Sequence, residues 1–552
     1  MKKLFCLLLT FLLLTGCAVP APAQPEDPVF TGVLHSYTES GGTYFTRYDT
    51  ATIITLSDDG ISVNGGGETE AVFTSHDILY YEDMDAYESG YPYGEGTSAD
   101  RHTAEEAASH TVVNITAPGA YHVKGKLSAG QIRIDLGEEA YGDPNAVVEL
   151  TLENADITCT VAPAILFLNT YECDSNWSVE TASSQVDTSA AGANLILQGK
   201  NTVSGSHVAK IFKDKEGEKK LWKQDGAIYS YMSLNVFGPG SLELTADNEG
   251  LDTALHLTIH GGDITIRSDN DGINTNEDGV SVTTINGGHL HILAGLGAEG
   301  DGIDSNGYLV INGGTVVSSA NPAADAGLDS DLGSFINGGT VIALGSAMDW
   351  AESDSAQVTM NLQFAQYQSP DSAILICDPE GKVVFAYDPD RDEILEDHSR
   401  RYMGAIISRP DFQRGDTYFV YTGGSITGEE TAGLYTKITE YTGGTRMAYT
   451  GTDVQMRPGM GGFDGQRPEG ERPDGSTHGQ RPDGFGGEPP QLPEGETMPP
   501  DFPPEDFTRP NDMEIPEGGF PQMAGSAPAG EANIRFYMQD MVNFFSGLVA
   551  AP

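Results

Sequence analysis

The sequence predicts an all-β protein whose central part is a parallel β-helix, followed by a small β-rich C-terminal cap and a disordered Pro/Gly-rich tail. Three observations predict this fold class: a repeat of 25 or 26 residues, glycine at fixed positions of each repeat, and no helical periodicity between the apolar segments. Gly-Gly pairs begin at positions 261, 287, 313 and 338. Because one repeat cannot bury its own apolar face, successive repeats must stack to make a continuous core.

Each repeat is predicted to hold two or three short strands that are separated by Gly, Asn and Asp turns. Stacking places apolar side chains in inward columns, formed by Ile264, Ile266, Leu290, Ile292, Val316 and Val341. Asn286, Asn312 and Asn337 are expected to stack at one turn, where asparagine tolerates left-handed backbone and glycine supplies the rest. A β-sandwich or propeller is the competing architecture, but a propeller blade needs about 40 residues.

The N-terminus predicts export. Lys2 and Lys3 precede an apolar run, Leu4–Leu14, that is too short to span a membrane. The run ends in Leu-Thr-Gly-Cys, which resembles a bacterial lipobox with Cys17 as the lipidated first residue of the mature protein. The protein is then anchored by lipid to the outer face of the bacterial cytoplasmic membrane, at the cell surface. An ordinary secretory signal that is cleaved near Ala23 is the alternative.

Composition divides the chain further. After the repeats, short apolar strands with turns indicate a β cap, and the tract from about 451 to 531 is too rich in proline, glycine and acid to bury a core. The last segment is predicted to dock as a strand or a helix against an unidentified surface. The predicted organisation is signal peptide 1–16, N-terminal linker 17–47, β-helix 48–350, cap 351–450, disordered linker 451–531 and docking segment 532–552.

The charge balance restricts the partners. Asp and Glu number 81 against 29 Lys and Arg, so the formal net charge is -52. Nucleic acids and anionic membrane surfaces are bound by clustered cations, so neither is expected as a partner, and membrane contact is expected through the lipid anchor only. A chain with this excess of carboxylates is suited to binding cations. We also expect the protein to be a monomer.

Carboxylates recur before and after one apolar position of each repeat. In a stacked coil, equivalent residues lie ~4.8 Å apart, and two unit charges at that spacing repel by about 3–4 kcal/mol at an effective dielectric of 20. No lysine occurs between Gln224 and Trp350, and Arg267 is the single arginine there. Ca²⁺, which prefers oxygen ligands, is therefore the expected cofactor; a solvated acidic face is the alternative. The candidate ligands are Asp247, Glu249, Asp252, Asp269, Asp271, Asn274, Glu299, Asp301, Asp304, Asp325, Asp329 and Asp331.

These repeats resemble a known family. The segments 271–274 (Asp-Gly-Ile-Asn), 301–304 (Asp-Gly-Ile-Asp), 285–288 (Ile-Asn-Gly-Gly) and 117–125 are similar to those of exported bacterial carbohydrate-binding domain-containing proteins, over roughly 48–450. The resemblance implies a right-handed parallel β-helix like that of polysaccharide lyases, Ca²⁺ binding, and attachment to cellulose or pectic acid. An acidic, Tyr-rich insertion (76–110) and a Lys-rich one (210–223) depart from the family pattern.

The resemblance and the residues together predict a non-catalytic polysaccharide-binding protein. A Ca²⁺-dependent lyase needs a Lys or Arg base, for which the clear repeats offer only Arg267. The sequence is also compatible with a β-helical glycoside hydrolase and with a structural cell-surface adhesin. Exposed aromatic side chains are expected to stack on neutral glucans, unless they simply pack in the core. The candidates are Tyr80, Tyr81, Tyr91, Tyr93 and Trp222.

Overall fold

The structure, a computed structural model, describes residues 46–81, 100–174, 178–212, 220–389, 400–451 and 532–552. Nearly all regular structure in these residues is β-strand, which confirms the prediction of an all-β protein. The predicted signal peptide and Cys17 lie outside the described residues, as does the predicted linker beyond residue 451. Among the described residues, no helix is both long and apolar enough to cross a membrane.

The repeat region is built from three sets of strands, and neighbours within each set pair in parallel. The first set consists of β4 (Thr111–Ile115), β6 (Gly130–Asp135), β8 (Ile165–Asn169), β13 (Gly226–Ser230), β16 (Glu249–Thr253), β19 (Ile273–Thr275) and β22 (Ile303–Ser305). The second consists of β1 (Ala51–Ser57), β5 (Gly119–Leu127), β7 (Val148–Thr158), β9 (Ala193–Gln198), β14 (Leu234–Phe237), β17 (Leu257–Ile259), β20 (Val282–Ile285), β23 (Tyr308–Ile311) and β25 (Gly333–Ile336). The third consists of β10 (Lys200–Gly205), β15 (Ser241–Ala246), β18 (Asp263–Ser268), β21 (His289–Leu293), β24 (Thr315–Ser319) and β26 (Thr340–Gly345). From β13 to β24 the chain visits the three sets in the same order in each repeat, and the last repeat adds only β25 and β26.

Smaller elements flank these sets. They are β2 (Gly60–Val63), β3 (Val72–Ser75), the helix α1 (Ala104–Ala108), a 3-10 turn (Glu138–Gly142), and the antiparallel pair β11 (Val208–Phe212) and β12 (Lys220–Gln224). Helix α1 begins where Thr103 Oγ1 accepts a hydrogen bond from the Glu106 amide, while the Glu106 carboxylate accepts one from the Thr103 amide. This reciprocal cap satisfies two amides at the helix start.

The core runs along the repeats as the sequence predicts. Ile264 pairs in register with Leu290, and Leu290 with Val316. All three side chains are at most 1% exposed. The first set contributes Leu251, Ile273 and Ile303 to the same core, each fully buried. The predicted inward columns are therefore confirmed.

The predicted asparagine stack is also confirmed, but the backbone conformation assigned to it is wrong. Asn312 Nδ2 donates to Asn286 Oδ1 at 2.9 Å, and Asn337 Nδ2 donates to Asn312 Oδ1 at 3.0 Å. None of these asparagines has a positive φ; the left-handed residue is the second glycine of each pair, such as Gly288 (φ 86°) and Gly314 (φ 85°). Glycine adopts this conformation without steric cost, which leaves the asparagine amides free to bond one another.

The strands after β26 pair mostly antiparallel. They are β27 (Thr359–Gln368), β28 (Ile374–Cys377), β29 (Val383–Tyr387), β30 (Tyr402–Ser408), β31 (Thr417–Thr422), β32 (Ser425–Thr431), β33 (Leu434–Thr442), β34 (Thr445–Ala448), β35 (Phe536–Tyr537) and β36 (Val542–Ala550). β30 pairs antiparallel with β26 and so continues the sheet from the last repeat. The C-terminal segment docks as a strand, because β36 pairs in parallel with β27.

Candidate functional site

The recurring acidic residues lie at both ends of the short strands of the first set. At the trailing end, Tyr229, Asp252, Asn274 and Asp304 occupy equivalent positions of β13, β16, β19 and β22. At the leading end, Glu249 begins β16. Stacking in register therefore brings carboxylates of successive repeats together, as the sequence predicts.

The tightest cluster joins Asp225, Glu249 and Asp252, whose ligand oxygens all lie within 4.8 Å of one another. Glu249 is 4% exposed and Asp252 is fully buried. Asn274 from the next repeat donates from Nδ2 to Glu249 Oε1 at 3.1 Å, and Asn276 donates to Asp252 Oδ1. These bonds hold the carboxylates side by side, although the two charges repel each other.

Three oxygens of this cluster are buried without a hydrogen-bond partner: Glu249 Oε2, Asp252 Oδ2 and Asn274 Oδ1. A buried polar atom without a partner costs about 1–3 kcal/mol, and more when it is charged. Carboxylate and amide oxygens are the ligands that Ca²⁺ prefers. The donor set therefore fits a hard divalent cation.

Lys223, at the end of β12, corrects one sequence-based expectation. The sequence predicted that protein cations cannot neutralise the acidic rows, because lysine is absent between Gln224 and Trp350 and Arg267 is the single arginine there. Instead Lys223 is 7% exposed, and its Nζ lies 2.6 Å from Asp225 Oδ2. If all three carboxylates are ionised, one ammonium leaves two negative charges, which is the charge that a divalent cation neutralises. The expectation failed because the chain before β13 folds back onto the first acidic row.

The electrostatics follow from burial and like charge. Burial raises the pKa of Asp252 well above its usual range, and Glu249 raises it further. Burial would lower the pKa of Lys223, but the carboxylates of Asp225, Glu249 and Asp252 outweigh this and hold its pKa above the usual value. Lys223 is thus a protonated hydrogen-bond donor in this cluster.

A second acidic group continues along the repeats. Asp271 Oδ1 accepts a hydrogen bond from the Asp301 amide at 2.7 Å, and Asp301 Oδ1 accepts one from the Ala326 amide at 2.5 Å. Burial and the neighbouring Asp329 raise the pKa of Asp301 to about 8 and that of Asp304 to about 7. One function of these aspartates is therefore to tie one repeat to the next, and their remaining oxygens face further carboxylates.

The other predicted ligands lie apart from the buried cluster. Asp247 is turned away, because it accepts a hydrogen bond from Ser206 Oγ at 2.6 Å and pairs with His207 Nδ1 at 3.0 Å. Asp325 is half-buried and accepts from the Gly300 amide. The remaining three are exposed: Asp269, Glu299 and Asp331.

The predicted aromatic residues do not form an exposed platform in the described part of the chain. Tyr81 is fully buried, so its assignment as a sugar-stacking residue is wrong; its ring is part of the core. Tyr80 is partly buried and packs against the same core. Tyr91 and Tyr93 lie outside the described residues, and the side chain of Trp222, in β12, is not among those described.

Sequence reasoning missed Asp225 and Lys223. Asp225 precedes β13, one residue ahead of the position that Glu249 occupies in the next repeat, since Gly226 pairs with Glu249. The signal was the Asp-Gly pair at 225–226, which resembles the Asp-Gly pairs of the later repeats. Because this pair is displaced by one residue, an alignment of the repeats without gaps does not place Asp225 beside the later aspartates.

Comparison with known proteins finds similarity in the region that holds these acidic residues. A family model described as carbohydrate-binding domain-containing protein matches residues 109–361, slightly less than half of the chain. The matched segment contains the buried cluster and the second acidic group.

Two known proteins are similar to part of the chain. A carbohydrate-binding domain-containing protein of Acetivibrio thermocellus is 29% identical over 163 residues, which are 29% of this chain and 47% of that protein. The chain thus spans about half the length of the curated relative that it matches. A solved structure of the polysaccharide lyase-like protein from C. thermocellum, a gadolinium derivative, is 20% identical with a TM-score of 0.30, covering 52% of this chain and 93% of that one.

Proposed function

We propose that the protein is an exported, lipid-anchored, non-catalytic polysaccharide-binding protein that uses Ca²⁺. The observation that carries this proposal is the set of three buried oxygens, Glu249 Oε2, Asp252 Oδ2 and Asn274 Oδ1, that lack hydrogen-bond partners. The polysaccharide is inferred from the family model that matches 109–361. The cell-surface location is inferred from the lipobox-like sequence that ends at Cys17.

For the fold we propose a right-handed parallel β-helix over 48–350, with 351–450 as its cap. Three sets of parallel strands, visited in constant order, support this proposal. Antiparallel pairing of β30 with β26 supports a cap, since a coil needs its open edge covered. The role of the coil is to stack the acidic ends of β16, β19 and β22.

Ca²⁺ would be held by Asp225, Glu249, Asp252 and Asn274. These oxygens supply the hard donors that the ion requires, and bound Ca²⁺ would neutralise the charge that Lys223 leaves uncompensated. Because Asp252 is fully buried, an ion there would stabilise the repeats and not touch the polymer. The half-buried Asp301, Asp304 and Asp329 are the better candidates for a second ion that bridges to a uronic acid polymer.

A binding role is favoured over a lyase. A lyase base must reach the substrate proton. Lys223 is buried against Asp225, and Arg267 Nη1 lies 3.4 Å from Glu243 Oε2 on the third set of strands. Neither cation is placed to act on a substrate beside the buried cluster.

The test is retention of the full chain in native gels that contain cellulose derivatives, polygalacturonate or no polymer, each with Ca²⁺ or with chelator. The proposal predicts Ca²⁺-dependent retention without release of unsaturated sugar. Unsaturated product, detected by its ultraviolet absorbance, indicates a lyase instead. Absence of retention by every polymer contradicts the binding function and leaves the adhesin.

A further inference from the structure

The second set of strands carries a groove on its outer face, away from the acidic cluster. Its volume is about 760 Å³, within the range of about 300–1,000 Å³ that is usual for ligand sites. Thr284, Val310 and Phe335 pair in register along β20, β23 and β25 and form its floor. The groove therefore runs across the strands, parallel to the direction in which the repeats stack.

Two aromatic rings lie in this groove. The centroids of Tyr308 and Phe335 are 6.2 Å apart and their planes are inclined by 47°. Both side chains are half-buried. Tyr308 pairs in register with Gly333, which adds no side chain of its own beside the ring. The rings thus offer apolar faces of the kind on which sugar rings stack.

The opposite side of the groove is the asparagine stack. Asn286, Asn312 and Asn337 all line the groove and are all exposed. Within the stack, Asn312 and Asn337 each donate one N–H to the preceding asparagine. An amide has two N–H groups and two acceptor lone pairs, so each residue keeps bonding capacity for a hydroxyl group.

One wall of the groove is a segment that buried hydrogen bonds hold in place. Residues 184–187 line the groove, and the adjacent Thr188 anchors them through buried hydrogen bonds. Thr188 Oγ1 donates to Asn235 Oδ1 at 2.7 Å, and Asn235 Nδ2 donates to the Thr188 carbonyl at 2.8 Å. A wall held in this way shapes the groove before a ligand binds, which lowers the entropy cost of binding.

The charge of the residues that line the groove favours a neutral ligand over an anionic one. The charged residues among those that line the groove are Asp187 and Asp354, both acidic and both exposed. A polyanion would meet repulsion here without a cation to offset it. Amides and aromatic faces match the hydroxyl groups and apolar ring faces of a neutral sugar polymer.

We infer that this groove binds one chain of a neutral polysaccharide, stacked on Tyr308 and Phe335 and hydrogen-bonded to the asparagine stack. The inference rests on the proposed polysaccharide binding and names its site and polymer class. For a neutral polymer, the sugar is held on the second set of strands, and Ca²⁺ at the buried cluster would stabilise the first set.

The experiment compares variants of the full chain in native gels that contain hydroxyethylcellulose or polygalacturonate. Tyr308→Ala and Phe335→Ala are each expected to weaken retention by hydroxyethylcellulose about tenfold, and Tyr308→Phe is expected to retain most of it. Tyr537→Ala, which removes an exposed tyrosine of β35, is the matched control and should bind like the wild type. Thr284→Lys is a second blocking variant that avoids truncating a ring, because Thr284 points outward from the floor.

The outcomes separate the inference from the function on which it rests. Unchanged retention of Tyr308→Ala, Phe335→Ala and Thr284→Lys, with the wild type retained, overturns the groove and leaves polysaccharide binding intact. Retention by polygalacturonate alone overturns the neutral occupant. Retention of the wild type by neither polymer overturns both. Thermal unfolding of each variant identifies loss of fold, and if an alanine variant unfolds, Thr284→Lys decides.

Discussion

The ammonium of Lys223 lies 2.6 Å from Asp225 Oδ2, and this pair adjoins the carboxylates of Glu249 and Asp252. The lysine compensates one of three acidic groups, of which Glu249 and Asp252 are buried and Asp225 is half-buried. Desolvated charges that exceed their counter-charges are costly, and the cost falls when a cation enters. This relationship gives the first acidic row an excess of buried negative charge when its carboxylates are ionised.

Lys223→Met should destabilise the chain in chelator by about 3–5 kcal/mol, because a buried charge loses its partner. Ca²⁺ should restore more of the lost free energy of unfolding in the variant than it adds to the wild type, since the site is more negative. Denaturant unfolding with and without Ca²⁺ measures both effects.

Lys126→Met is the control, because Lys126 pairs with Asp156 at the surface and exposed pairs contribute little. A Lys223→Met variant as stable as Lys126→Met would contradict the importance of the buried pair.

Gly272→Ala should unfold more easily than the wild type by about 2–3 kcal/mol. An added Cβ would lie 2.3 Å from Ile292 Cγ2 and 2.5 Å from the Gly302 carbonyl oxygen, so packed repeats must separate. Gly142→Ala adds the same atom where no heavy atom lies within 4 Å. Equal midpoints for the two variants in denaturant would show that the repeats are not packed this closely.

His207 should make stability depend on pH. Burial lowers its pKa, but hydrogen bonds with Asp100 and Asp247 outweigh this and raise the pKa to about 10, against about 6.5 in an unfolded chain. The protonated His207 therefore adds its full share to the free energy of unfolding below pH 6.5, and this share is lost as the pH rises toward 10. The difference in Tm between the wild type and His207→Gln should shrink over this window, whereas that for the exposed His289→Gln should not. A constant difference for His207→Gln would exclude the pairing.

Local repetition made much of the fold predictable. The apolar columns and the asparagine stack follow from residues that recur every 25 or 26 positions, because register then fixes each neighbour. Contacts made by residues outside the repeats were not predicted. Lys223 is one such residue, because it reaches the first acidic row from β12. Tyr81 was misassigned, because composition does not reveal which face of an insertion packs on the core. Tyr308 and Phe335 were missed, since each occurs at a different position of its strand.

Asp252→Asn should have opposite effects in chelator and in Ca²⁺. Without the ion, burial and Glu249 oppose the ionisation of Asp252, and asparagine replaces it with a neutral side chain of similar shape, so the variant should be more stable than the wild type. With Ca²⁺ the order should reverse, because a charged ligand is lost. Asp156→Asn, at the surface, should show neither effect. If Asp252→Asn has the same stability relative to the wild type in chelator and in Ca²⁺, Asp252 is not a ligand.

Calorimetric titration of Ca²⁺ into the chelator-treated full chain tests the central claim most directly. We predict a saturable heat for the wild type, about 2.7 kcal/mol of added stability at a free Ca²⁺ concentration of 100 times the Kd, and loss of both when Glu249→Gln is combined with Asp252→Asn. No saturable heat in the wild type, or the same isotherm in the double variant, would contradict a calcium site at these oxygens.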